Sequence, residues 1–279
     1  MDPTNDDARA NIDQALQDWR QGDCVVGEHL FLFRIDIENP LTREAADAAK
    51  EGADAAEAEV RGLMVATQTC DLVRRCADRP FVEVCPLVEV DADRLKEIRR
   101  GRRPGYAYVP GVADQRLVAD LDRVMTVEKA VVARWERTEG CQTDEERRRL
   151  ALALARKRRR CAFPVDFVKF ARSLVERLSS KHGKNSPEGQ ALRALREIRV
   201  RAAPSWDAEG VELMFWFIRE DGSLEFDGGR WDEHLERWLD LLPVGGRFQG
   251  IDGDVMTLDD LTARDYMESD PLDLDRLSE

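Results

Sequence analysis

Between Arg61 and Val90 the chain reads RGLMVATQTCDLVRRCADRPFVEVCPLVEV, two apolar runs on either side of a polar QTCD corner. Residues 62–67 and 81–90 are rich in Val, Leu and Met, as buried strands are, so the stretch predicts strand, corner, strand. Gln68, Thr69, Cys70 and Asp71 interrupt the two strands with hydrogen-bonding side chains that the strands do not need. The corner is a candidate binding site, set against the simpler role of tying down a tight loop.

Periodicity organises the rest. Residues 11–20 predict a short helix with Ile12, Leu16 and Trp19 on one face, and residues 24–37 predict a strand after the Gln21-Gly22-Asp23 turn. Residues 44–59 hold eight alanines and six acids with no large apolar side chain, which predicts a solvated helical insertion or a disordered one. Helices are expected over 91–103, 127–138, 143–161, 165–180 and 190–197, with short strands at 106–110 and 117–124. The helix over 143–161 carries Thr143 and Glu146 as a capping box, acids at its start and arginines at its end, as the helix dipole favours. Further on, strands are expected at 198–203 and 211–219, a turn at Asp221-Gly222 into a strand at 224–226, and an amphipathic helix at 231–242. Strand signals either side of Gly253 predict a hairpin.

Composition limits the function classes. With 279 residues and 43% apolar side chains the chain builds its core without staples, and six cysteines with no CxxC pair predict reduced thiols in a cytoplasmic protein. No run is apolar enough to span a membrane and no leader is recognised in the first thirty residues, so no membrane partner is expected. A zinc site can be drawn from Cys70, Cys76, Cys85 and His29, but close ligand pairs are missing, and no metal or cofactor is expected. The net charge of −13 argues against a protein that coats nucleic acid. Charge is nonetheless segregated: residues 94–103 hold six bases and one acid, 144–160 eight bases and three acids, and 259–279 eight acids and two arginines. Such segregation fits separate charged faces, solvated helix surfaces, or an acidic tail docked on a basic surface.

From residue 21 to 90 the order of elements resembles the SH3-like β-barrel of MazF/PemK-type toxins. The likeness lies in Gln21-Gly22-Asp23-Cys24-Val25-Val26, in the strand from Arg61 to the polar corner at Asp71, and in the strand over 81–87. It implies ribonuclease chemistry by an arginine at the start of the second conserved strand, here Arg61, with a Ser or Thr on the next. That second position falls near Leu87 and Val88, which cannot handle protons, and leaves Thr67 or Thr69 as substitutes. The wider pattern of GD, QTCD, AFP-x-D-F at 162–167 and PLDL at 271–274 resembles uncharacterised bacterial proteins found beside restriction, methylation and other phage-defence genes.

Other chemistry finds little support. Cys70 lacks a neighbouring base, and Asp71 beside it opposes thiolate formation. His182 and His234 read as solvent-facing, and Asp166 as the cap of the helix after Pro164. Phosphate loops, HExxH and GxSxG are missing from the sequence.

The expectation is an α+β chain: an SH3-like barrel domain at 1–126 with an Ala/Glu-rich insertion near 44–59, a helical segment at 127–187, a small ββαβ-like unit at 188–258 and an acidic tail at 259–279. Its expected role is a non-catalytic accessory or regulatory component of a bacterial antiviral defence system, with other defence proteins or nucleic acid as partners. Binding is assigned to Arg61, Gln68, Thr69, Cys70 and Asp71, and nucleic-acid contact to Arg99, Arg100, Arg102, Arg103, Arg156, Arg158, Arg159 and Arg160. A MazF-like endoribonuclease and a nucleic-acid sensor built on the arginine-rich helices are the alternatives.

Overall fold

The computed structural model describes residues 6–101, 103–158, 163–219, 230–243 and 245–272. The chain is α+β and divides into two compact units, residues 1–159 and 160–279.

In the first unit, helix α1 (Asp6–Ala15) leads through the buried Leu16 and Trp19 to strand β1 (Cys24–Arg34). Helix α2 (Arg43–Lys50) and strand β2 (Ala55–Val65) follow, then the single turn α3 (Thr69–Leu72) and β3 (Phe81–Glu89). Helix α4 (Ala92–Arg99), β4 (Tyr106–Tyr108), a 3-10 turn (Pro110–Gln115), β5 (Leu117–Asp120), β6 (Met125–Glu128), α5 (Lys129–Val132) and α6 (Asp144–Arg158) complete it. The strands form one antiparallel sheet in the order β1-β2-β3-β5-β4, with β6 also paired to β3. Among the described residues no backbone pairing closes these strands into a ring.

Three expectations change here. The stretch 44–59 is not one solvated helix, because its second half is strand: Ala56 and Ala58 stand opposite Phe33 and Phe31. Small side chains fit there because the bulk comes from the partner strand, and Ala56 is buried. The helix expected over 127–138 is reduced to α5, since residues 125–128 pair with β3 instead. The helical segment expected over 127–187 is not one body either. Leu150 of α6 lies in the core beneath β3 and β5, whereas the helix at residues 165–182 belongs to the second unit.

The second unit contains α7 (Val165–His182), α8 (Pro187–Ala194), β7 (Leu195–Ala203), β8 (Val211–Arg219), α9 (Trp231–Leu239), β9 (Phe248–Thr257), α10 (Ala263–Met267) and β10 (Asp270–Pro271). Phe167, Phe170, Leu174 and Leu178 of α7 are buried against the sheet as their spacing predicts. The helix expected over 190–197 stops at Ala194, and β7 begins at once. The hairpin expected at Gly253 is one continuous strand, β9, running parallel to β8. Gly253 lets that strand sit close beneath Leu235 and Leu239, whose methyls lie 3.3 Å from where a Cβ would stand. His234 is buried rather than solvent-facing, its ring stacked 5.6 Å from Trp238. Pro164, not Asp166, takes the N-cap position; Asp166 accepts from Phe167 N at 2.9 Å in the first turn and clasps Arg247 with two bonds, of 2.5 and 3.0 Å, and the guanidinium holds its carboxyl below the usual range.

The C-terminal acids do not form a free tail as far as residue 272. Arg201 pairs with Asp265 and Glu268 at 3.2 Å each, the buried Arg199 donates to the carbonyls of Tyr266 and Ser269, and Leu272 is buried. The expected turn at 221–222 and strand at 224–226, Ala162, and residues 273–279 lie outside the described residues.

Candidate nucleic-acid interface

The two arginine runs of the first unit meet. Asp91 caps α4, accepting from Arg94 N at 2.7 Å, and the helix ends in Arg99, Arg100 and the left-handed Gly101. At the start of α6 the capping box closes both ways: Glu146 N donates to Thr143 Oγ1 at 3.2 Å and Thr143 N to Glu146 Oε2 at 3.0 Å. These backbone bonds hold the Glu146 carboxyl below its usual range. With its start fixed and Leu150, Ala153 and Leu154 packed inward, α6 carries its basic end to the end of α4. There Arg156 Nη1 donates to the carbonyl of Gly101 at 2.5 Å.

Charge is distributed unevenly at this junction. Lys157 is paired with Asp122, Arg158 with Glu83, and Lys96 with Asp93 at 3.0 Å. Arg99, Arg100 and Arg103 are exposed and have no ion pair among the described residues. The guanidinium carbon of Arg99 lies over Tyr108, 5.7 Å from the ring centre, and that of Arg94 lies 4.9 Å over Tyr106. Arg99 and Arg100 lie just ahead of Gly101 in the chain, the residue that Arg156 reaches, and Arg103 lies two positions beyond it. Arg102, Arg159 and Arg160 lie outside the described residues.

The QTCD corner is a helix start rather than a strand-to-strand loop. Gln68 takes the N-cap position of α3 without a side-chain capping bond. Thr69 Oγ1 accepts from Gln21 N at 3.0 Å, and Gln21 Nε2 donates to the Ala66 carbonyl at 2.8 Å, so the corner is sewn to the chain ahead of β1. Asp71 pairs with Arg74 at 3.4 Å, while Gln68 and Cys70 are exposed. Beneath the corner lies Lys129, a buried residue that sequence reading passed over; its ammonium donates to the carbonyls of Asp71 and Arg74. Its place in the segment VEKAVV, ahead of the apolar residues 130–132, was the available signal. Asp23 of the GD pair is buried as well, accepting from Arg20 N, Arg137 Nη1 and Gly140 N, so that motif serves the fold.

Arg61 stands apart from the corner. It lies opposite Gly27 and Glu28, where the pairing of β1 with β2 shifts from Val26↔Gly62 to His29↔Val60. This bulge opens a depression of about 370 Å³. Thr67 follows six residues later, about 20 Å along an extended chain. Its hydroxyl accepts from Glu83 N at 2.7 Å, and that of Thr69 is held by Gln21. The arginine and the hydroxyls that ribonuclease chemistry needs are thus not brought together.

Three thiols, Cys24, Cys85 and Cys141, lie in one apolar core cluster. Cys85 is buried in the core and Cys70 is exposed, and burial pushes the Cys85 thiol up to about 12 and that of Cys141 to about 11. Among the described residues no cluster of His, Cys, Asp or Glu is arranged to hold a metal ion, and no helix is long and apolar enough to cross a membrane. Comparison with protein-family models, curated proteins and solved structures returns no match for this chain.

Proposed function

We propose that the chain is a non-catalytic accessory protein that binds nucleic acid through the phosphate backbone, using Arg99, Arg100, Arg103 and Arg156. The observation that carries this reading is the bond from Arg156 to Gly101, which brings the ends of the two arginine runs together across 55 residues of sequence. Its other support is the lack of ion pairs at three of the four arginines among the described residues. A net charge of −13 limits this to local contact, without a coating mode, and the phosphate contacts themselves make the affinity salt-dependent through counterion release. Work within a bacterial antiviral defence system is the context implied by the resemblance of the GD, QTCD and PLDL pattern. The exposed Gln68 and Cys70 offer other defence proteins a place to dock. An SH3-like curl of the first sheet belongs to the same reading, supported by the approach of β1 to β6, where Leu32 N lies 3.2 Å from Met125 Sδ.

The test is fluorescence anisotropy with labelled single- and double-stranded oligonucleotides over a salt series, for the wild type and an Arg99→Ala, Arg100→Ala, Arg103→Ala variant. Removal of three phosphate contacts is expected to flatten the slope of log affinity against log salt by about two to three. Equal slopes in the two proteins, or no wild-type binding at low salt, would end this reading.

A further inference from the structure

The depression beside Arg61 has the features of a built site. Val26 and Leu117 line it with apolar surface, and Arg61, Glu28, Glu89 and Gln115 supply its polar groups. Bulges re-aim side chains, and here two bulge residues, Gly27 and Glu28, face the single residue Arg61. Gly27 has φ +130 with open space where a Cβ would stand. Across the strand pair Gly62 has φ +144, and a Cβ there would lie 2.3 Å from the Val25 carbonyl. Next to the depression Arg116 holds a left-handed backbone, φ 57, uncommon for a residue other than glycine, while pairing with Glu89 at 2.7 Å.

The charges then define the ligand. Glu89 is engaged by Arg116, but neither Arg61 nor Glu28 has an ion pair among the described residues, although they face each other across the bulge. A simple anion would meet two carboxylates, and a simple cation would meet Arg61. The fitting molecule has an apolar face, to meet Val26, with a pair of acceptors on one edge and a pair of donors on the next. Guanine has that pattern: O6 and N7 suit a guanidinium fork, and N1–H with N2–H suits a carboxylate. Adenine and the pyrimidines lack one half of it. A volume of about 370 Å³ falls in the range of small-ligand pockets.

We infer that this depression binds an unpaired guanine base, with Arg61 on O6/N7 and Glu28 on N1–H/N2–H. The base is unpaired because its N1/N2 edge is occupied in a duplex. It arrives as a free guanine nucleotide or within a single strand. The inference does not rest on the arginine surface.

Isothermal titration of the full chain with guanosine, inosine, adenosine and cytidine 5′-monophosphates tests it, together with single strands carrying one guanine or none. Guanosine monophosphate is expected to bind at least roughly 10-fold more tightly than the adenosine and cytidine forms, with inosine, which lacks the N2 amine, between them. Glu28→Gln abolishes the preference, and Arg61→Ala weakens guanosine monophosphate roughly 10-fold. Both side chains are exposed, and unchanged thermal unfolding checks that the variants fold. Preference seen only with the oligonucleotides, and lost in Glu28→Gln, assigns the base to a strand. Absence of base preference in every arm, or a preference that survives both substitutions, overturns the proposal. Guanine preference retained while the triple arginine variant loses its salt slope separates this site from the arginine surface.

Discussion

Lys129 donates its buried ammonium to the carbonyl oxygen of Asp71 at 3.1 Å, and so anchors the end of the QTCD turn from below. The same group reaches the carbonyl of Arg74 at 2.5 Å, which makes it a cap for α3 and the loop after it. Burial pushes its pKa below the ordinary lysine range.

Lys129→Ala is expected to destabilise the first unit by about 2–4 kcal/mol, through the cavity and two carbonyls left without a donor. Lys129→Met keeps the stem and costs less. The pH dependence has a definite sign. Between the lowered folded pKa and the unfolded value of about 10.5, the unfolded chain holds a proton that the folded chain releases. The wild type therefore gains stability relative to Lys129→Met as pH rises through that window. Urea denaturation at a series of alkaline pH values measures it, and a gap that narrows with rising pH would refute the assignment.

Glu188 governs the acid limb of the second unit. Burial raises its pKa, but two bonds from Arg177, at 2.8 and 2.9 Å, and one from Trp238 Nε1 at 3.2 Å outweigh that, so the net shift is downward. Its contribution is fully present above the unfolded value of about 4.5 and is lost as pH falls through the lower folded value. Glu188→Gln is expected to cost about 2 kcal/mol at neutral pH and to flatten the acid limb. Thermal unfolding between pH 3 and 7 reads both, and parallel curves for variant and wild type would contradict the prediction.

The two glycines at the bulge separate backbone strain from crowding. Gly27→Ala meets open space and carries only the cost of its positive φ, about 1–3 kcal/mol. Gly62→Ala adds a clash with the Val25 carbonyl, and its expected cost is about 3 kcal/mol or more. Chemical denaturation of the two variants side by side provides the comparison; equal losses would mean that the close approach at Gly62 relaxes freely.

Local patterns were legible wherever one element carried its own signal. The capping box at Thr143 and Glu146, the apolar stripe of α7 from Phe167 to Leu178, and the strands on either side of QTCD follow from periodicity and capping chemistry within a few residues. The charge runs at 94–103 and 144–160 were equally plain. Readings failed where a partner distant in sequence decided the outcome. Ala56 and Ala58 became strand because Phe33 and Phe31 stood ready to fill the space, and residues 125–128 became strand because β3 offered a free edge. Gly253 kept β9 unbroken because α9 packed against it.

The sequence alone determined which side chains were available, the helix caps and the faces of the strongly amphipathic elements, since these depend on neighbours within a turn or two. Only the tertiary structure decided that Arg156 meets Gly101, that Arg61 lies opposite a bulge and far from Thr67, and that Lys129 is buried under the QTCD turn. Those outcomes depend on strand register and on which groups lose water together, and both are set by contacts between residues distant along the chain.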